Sequence, residues 1–249
     1  MSKSRNRSGK PKRSQSGRRP KVQLTRYPSI DGPNIDAIGQ SCIAFEKYDG
    51  SNLQFSWNQS DGWYRNGTRR RTVLPDNPLF GSAIEMFQKK YAKGILDTIR
   101  RYKEYRNTKS LTAFCEFHGE KTFSGLHADG DPKHLTLFDI MIDDQNLVLP
   151  ADFKSHFGHL DIAKIVYEGE LTREFIEQIR LGKIVSGEGV VAKGVATSVR
   201  RKGKTERTAW MVKIKTQIWL DELARRAGDS PDKFQSELQD NEQQQNRLR

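Results

Sequence analysis

Short apolar runs separated by polar turns occupy most of the chain, and the period of that pattern changes along its length. Cys42–Phe45 (CIAF) is continuously apolar, and Leu53–Trp57 (LQFSW) alternates apolar and polar side chains. Both read as strands, placed around the turn Glu46–Asn52, EKYDGSN, as the arms of a hairpin would be. Residues 62–74, GWYRNGTRRRTVL, predict a second, more polar strand-turn segment. Over Ser82–Arg106 the period becomes helical, with Ile84, Phe87, Tyr91, Ile95, Ile99 and Tyr102 three or four residues apart, which predicts one long helix or two. Strand-like runs return at residues 111–117, 135–142, 189–196 and 209–216, with short helices expected at DFKSHFG and TREFIEQIR. Strands and helices do not alternate regularly, so the expected class is α+β with mainly antiparallel sheets flanked by helices.

Charge divides the chain further. The net charge is +12. Residues 1–21 hold nine Lys/Arg and no acid, which leaves +3 for everything after them. That basic segment offers almost nothing to bury and is expected to be a disordered tail. The body is expected at residues 22–228, and residues 229–249, rich in Asp, Gln and Asn, form a polar C-terminal tail. Cys42 and Cys115 lie in apolar runs and cannot build a disulfide framework, which points to a reducing, intracellular (cytoplasmic) setting. No apolar run is long enough for a membrane span. The five histidines show no ligand spacing with cysteine, which argues against zinc. A P-loop is absent from the sequence.

Several predicted strands carry ionisable residues. In chain order they are EKYDGSN with Lys47, FCEFHGE with Glu116, LFDIMI with Phe138 and Asp139, GEGVVAKG with Glu188 and Lys193, and WMVKIKT with Lys213 and Lys215. Lys213 and Lys215, two apart on a strand, share a face. A Lys-x-Asp-Gly match alone better describes a hairpin turn with a solvated lysine; the ordered set is far more specific.

That ordered set, over residues 40–220, resembles the covalent nucleotidyltransferase superfamily of ATP-dependent polynucleotide ligases and capping enzymes. Within it the set is most like the RNA ligase branch that includes bacteriophage double-strand-sealing and kinetoplastid editing ligases. The resemblance implies a ligase adenylation domain in which Lys47 attacks ATP to give lysyl-AMP. AMP then passes to an RNA 5′-phosphate, and a 3′-hydroxyl displaces it. An ordinary lysine, with a pKa of ~10.4, is rarely a free amine at neutral pH. Lys193, Lys213 and Lys215 are the cations expected to surround Lys47 and depress its pKa, where a fall of ~3 pH units corresponds to roughly 4 kcal/mol. They would also neutralise charge on the phosphates.

By the same resemblance Glu188 lies near a metal, Mg²⁺ or Mn²⁺, arriving with the triphosphate. Glu116 holds the ribose hydroxyls, Glu46 lies near the adenine, Asp49 orients the turn, and Asn52 belongs to the nucleophile motif. Phe138 is a candidate for stacking on the base and equally a core aromatic. The family's arginine after the nucleophile falls on Arg69 first and Arg65 second; Arg70 and Arg71 read as a solvated run, with phosphate contacts as the alternative.

Residues 216–249 are too few for the OB-type domain of capping enzymes and DNA ligases, and IWLDELARRA supplies at most one helix of a C-terminal helical domain. RNA, nicked or single-stranded, is the expected partner. DNA is the alternative substrate, and a non-catalytic nucleic-acid-binding module is the alternative of another class. The basic tail either adds salt-dependent phosphate contacts or solubilises and localises the chain. An accessory protein or domain is the other source of substrate grip. Repair, editing and phage counter-defence all fit this reading, in a bacterial or phage-infected host cytoplasm.

Overall fold

A computed structural model describes residues 24–120, 130–199 and 205–227. The expected tails at residues 1–21 and 229–249 lie outside the described residues. Among the described residues there are ten strands: β1 (Ser41–Lys47), β2 (Gly50–Asn58), β3 (Gly62–Thr68), β4 (Thr72–Val73), β5 (Ser110–His118), β6 (His134–Ile142), β7 (Asn146–Leu147), β8 (Ile165–Glu170), β9 (Gly189–Val199) and β10 (Thr205–Lys215). They form two antiparallel sheets, one of four strands in the order β10-β9-β1-β8 and one of six in the order β4-β3-β2-β5-β6-β7. The class is α+β, as the mixed periodicity predicts.

One expectation about the fold is wrong, and the error locates the site. EKYDGSN does not close a hairpin: β1 pairs with β8 and β9, whereas β2 pairs with β3 and β5. Only Tyr48 and Asp49 separate the two strands, so the turn carries the chain from one sheet to the other. Gly50 starts β2 so close to β5 that a Cβ there would lie 2.4 Å from the Phe117 carbonyl oxygen. Glycine is therefore required where the chain enters the second sheet.

Helices cover the outer faces. The helical stretch at residues 81–101 is continuous: α1 (Gly81–Phe87), a π-helical turn (Gln88–Ala92) and α2 (Lys93–Arg101). Phe87, Tyr91, Ile95 and Ile99 recur every four residues, slightly more than one α-helical turn, and the wider π turn keeps them on one face. All four are buried against the six-stranded sheet, with Phe87 stacked on Phe55 at 3.9 Å. The Tyr91 hydroxyl lies 2.6 Å from the Leu135 carbonyl oxygen and 2.8 Å from that of Asp161, so its one proton always has an acceptor in the core. α3 (Pro150–Phe157) adds Phe153 and Phe157 to the same core. A separate core forms where α4 (Arg173–Arg180), capped by the Thr172 hydroxyl, packs Phe175, Ile176 and Ile179 on Ala44, Val190, Ala192, Val212 and Ile214 of the four-stranded sheet. Those strand residues alternate with the ones that face the cleft, so period two decides which side chains reach the site. Strand β8, IVYEGE, is too polar and short to stand out in the sequence. α5 (Gln217–Ala227) follows β10 directly. Among the described residues no helix is long and apolar enough to cross a membrane.

Candidate active site

Lys47 ends β1 at the junction of the two sheets, beside a cleft of about 370 Å³. Register across β1, β9 and β10 arranges the floor in three rows. Lys47, Gly189 and Lys215 form the first, Phe45, Val191 and Lys213 the second, and Ile43, Lys193 and Met211 the third. Gly189 is forced by its surroundings: φ is +147°, and a Cβ would meet the Ile214 carbonyl oxygen at 2.0 Å. It allows Glu188, the preceding residue, to bring its carboxylate between two lysines. Lys47 Nζ donates to Glu188 Oε2 at 2.6 Å, and Lys215 Nζ lies 3.7 Å from Oε1.

The other wall comes from the six-stranded sheet. Asn52 pairs with Glu116 across β2 and β5, and both side chains line the cleft. Asn52 Oδ1 is buried with no hydrogen-bond partner, an acceptor pointing to a donor on a bound molecule. Phe138 is the extra residue of a β-bulge, because Phe114 pairs with Asp139 and Cys115 with Leu137. The bulge puts Phe138 on the cleft wall, while its neighbour Asp139 is buried against Lys193 and Tyr27. Lys193 Nζ donates to Asp139 Oδ2 and to the Phe138 carbonyl, both at 2.8 Å, and lies 4.8 Å from the Phe45 ring centre. The Tyr27 hydroxyl donates to the same Asp139 carboxylate, and its ring meets Phe138 edge-on at 5.3 Å. Burial and the adjacent Asp139 charge hold the Tyr27 phenol well above its ordinary pKa, so it stays a donor.

The cleft's charge balance differs from the sequence expectation. Burial is the largest influence on Lys47 and pulls its pKa down, but Glu188, Glu116 and Asp49 together outweigh it, leaving the value raised. Two of the three lysines expected to depress it are already matched: Lys193 by Asp139, in a row ~13 Å along the strand from Lys47, and Lys215 by Glu188. Glu116 is pushed up to about 8, chiefly by burial and against the pull of Lys47, with Glu188 and Asp49 adding to the rise and Arg69 opposing it.

Of the residues singled out in the sequence, Glu46, Lys47, Asp49, Asn52, Arg69, Glu116, Phe138, Glu188, Lys193, Lys213 and Lys215 all line this cleft. Arg65 does not. It is buried on β3, with Nη2 donating to the Ser56 hydroxyl at 3.3 Å. Arg70 and Arg71 are exposed in the β3–β4 turn. His156 stacks on Tyr102 and bonds Tyr105, while His118 stacks on Tyr48 and bonds Thr136. His127 lies outside the described residues. Among the described residues no three His, Cys, Asp or Glu side chains converge as metal ligands. A divalent cation here would take Glu188 as its protein ligand and the remainder from phosphate oxygens and water, the usual donor set for magnesium.

Among the lining residues that escaped the sequence reading are Tyr27 and Trp219. Tyr27 sits in a polar segment with no pattern to mark it. Trp219 lies in the first turn of α5, four residues after Lys215 ends β10, which becomes a signal only once that junction is known.

The two antiparallel sheets flanked by helices make an α+β fold like that of nucleotidyltransferase-type ligases. A family model described as RNA ligase matches residues 40–213, and the chain belongs to that family. Similar solved structures include two mutants of the Naegleria gruberi RNA ligase, one lysine-to-methionine with AMP and Mn and one lysine-to-alanine with ATP and Mn. Each has a TM-score of 0.52 and 18% identity and covers 80% of this chain and 60% of the ligase. The same ligase with PPi matches at TM-score 0.50 and 16% identity over 86% of this chain and 64% of the other. The chain thus spans about 60% of the length of those ligases. No curated protein matches it.

Proposed function

We propose that this domain is the nucleotidyl-transfer centre of an ATP-dependent RNA ligase, with Lys47 as the nucleophile. The observation that carries the reading is the Lys47–Glu188–Lys215 arrangement, with Lys47 at the sheet junction, one side open to a nucleotide-sized cleft. In the ligand-free cleft Lys47 carries its proton, because the surrounding carboxylates hold it. When Glu188 is matched by another cation, that hold weakens and burial favours the free amine. The Lys47 nitrogen then attacks the α-phosphorus of ATP. The N–P bond forms as the P–O bond to pyrophosphate breaks, and pyrophosphate leaves with the electron pair. In the second step an oxygen of the RNA 5′-phosphate attacks the same phosphorus and the Lys47 amine leaves. In the third, a 3′-hydroxyl attacks the RNA phosphate, loses its proton and expels AMP.

Lys213 and Lys215 lie where they can oppose charge growing on the phosphates. The cleft suits the nucleotide: Phe138 offers a ring face, and the unsatisfied Asn52 oxygen and Glu116 offer acceptors for hydroxyl or amine donors. A divalent cation, when bound, supplies further charge neutralisation at the phosphates. RNA is favoured over DNA by the family match.

Incubation with α-labelled ATP and Mg²⁺ tests the first step, and acid-stable label that disappears in Lys47→Ala is the expected result. Nicked duplexes with RNA or DNA on either side of the break then test the substrate. Wild-type protein that never retains label sinks the proposal.

A further inference from the structure

Helix α5 begins two residues after the last strand of the cleft, beyond the matched residues 40–213, yet one of its side chains reaches the site. Thr216 fixes its start. The Thr216 hydroxyl accepts from the Trp219 backbone N–H at 3.2 Å and donates to the Gly187 carbonyl at 2.7 Å, while the Thr216 N–H donates to the Glu188 carbonyl at 3.0 Å. The helix is therefore tied to the turn that carries Glu188. Four residues on from Lys215, across the strand-to-helix junction, the Trp219 indole returns beneath it, with the Lys215 ammonium 4.2 Å from the ring centre. The indole N–H points the other way and donates to Asp49 Oδ2 at 3.2 Å, within the nucleophile turn itself. Trp219 is 4% exposed and packs its far side on Leu220 and Leu223.

Resting on the nucleotidyl-transfer reading above, we infer that Trp219 is a positioning residue of the reaction, holding Lys215 over the cleft floor and Asp49 in the Lys47 turn at once. Two groups from distant parts of the sequence are set by one rigid side chain. Asp49 belongs to the crossing between the sheets, and Lys215 belongs to the end of β10. A leucine there would fill part of the volume but offer neither a π face nor a donor. Lys215 would then turn toward Glu188, the anion it shares with Lys47. Phenylalanine would keep the face and lose only the bond to Asp49. The role concerns the rate of transfer, because Lys215 opposes charge that grows as the P–O bond breaks.

Single-turnover transfer of labelled AMP to Lys47 at saturating ATP separates positioning from simple packing. A structural defect lowers the amplitude, since fewer molecules are competent, and leaves the rate constant alone. Misplacement lowers the rate constant. Trp219→Leu is expected to slow transfer about tenfold, with the ATP concentration at half-saturation moving less than about threefold, and Trp219→Phe to slow it only about threefold. A Trp219→Leu rate constant within twofold of wild type, whatever its amplitude, overturns the inference. If that variant does not fold, Trp219→Phe decides, and an unchanged rate constant overturns it. A second measurement needs no nucleotide: acylation of Lys215 at one fixed pH, read by mass spectrometry against exposed Lys89, rises severalfold in Trp219→Leu if the indole holds it. Unchanged protection counts against the inference. Failure of wild-type protein to take up AMP overturns the proposed function, while the acylation result still judges Trp219.

Discussion

Lys47 and Lys193 stand on one face of one sheet, on adjacent strands, each at hydrogen-bond distance from a carboxylate. Lys47 meets Glu188 at 2.6 Å and Lys193 meets Asp139 at 2.8 Å. The chemistry of the two pairs is the same, and their surroundings are not. Both members of the Lys193–Asp139 pair are almost sealed, with side chains 4% and 2% exposed. Tyr27 adds a further donor to Asp139, and aromatic rings wall the ammonium. In contrast, the Lys47 side chain is 26% exposed, its carboxylate is shared with Lys215, and Glu116 and Asp49 compete for the same cation. A matched, enclosed pair is costly to break and has no easier arrangement to adopt. An uneven cluster with one open side exchanges partners readily, which is what a nucleophile that must shed a proton and accept a phosphate requires. Burial and partner count, more than residue type, thus separate the reactive lysine from the fixed one.

The largest effect expected is on activity. Lys47→Ala should reduce acid-stable AMP incorporation to background while shifting unfolding free energy by less than about 1 kcal/mol, because Glu188 keeps Lys215 and the site is partly solvated. Denaturant unfolding beside the labelling assay checks both halves. Lys193→Met should show the opposite balance in stability, losing about 3–5 kcal/mol because Asp139 is left buried without its cation. Equal stability losses in the two variants would erase the distinction between the pairs.

Glu116 gives a smaller, pH-dependent effect. Its carboxyl rises from 4.5 to about 8 on folding, so between those values the folded state binds more protons than the unfolded one. Its contribution is therefore fully present below about 4.5 and is lost as pH climbs to about 8. Glu116→Gln should remove that loss, gaining roughly 3–4 kcal/mol relative to wild type between pH 5 and pH 8. Unfolding curves at both pH values measure it, and a parallel pH dependence in the two proteins would count against the raised carboxyl. The arginines should differ least. Arg65→Ala is expected to cost about 1 kcal/mol of stability with little change in AMP transfer, through lost packing and the Ser56 bond. Arg69→Ala should leave stability nearly unchanged and weaken nucleotide or RNA binding, read as a raised half-saturation concentration.

Much of this site was legible because its residues are embedded in runs whose periodicity is itself informative. Lys213 and Lys215 share a face because strands alternate, and Glu116 is conspicuous inside an apolar run, whereas Phe138 reads there equally as core. Arg69 and Arg65 look alike in YRNGTRRR; one lines the cleft from the β3–β4 turn and the other lies buried on β3, a difference set by the sheet's neighbours. The π turn, the bulge at Phe138 and the polar strand β8 left no sequence mark, since each arises from fitting one element against another. Tyr27 and Trp219 likewise became site residues only through where their backbones run.

By itself the sequence determined the α+β class, the long helix, the order of the charged strands and the chemistry available to the site. Those properties depend on local periodicity and on side-chain type, which a linear string records. Tertiary structure alone decided that EKYDGSN crosses between sheets, which lysine each carboxylate neutralises, and in which direction the Lys47 pKa moves. Pairing partners and burial are set by strands far apart in the chain, and electrostatic energies follow distance and solvent exposure in space.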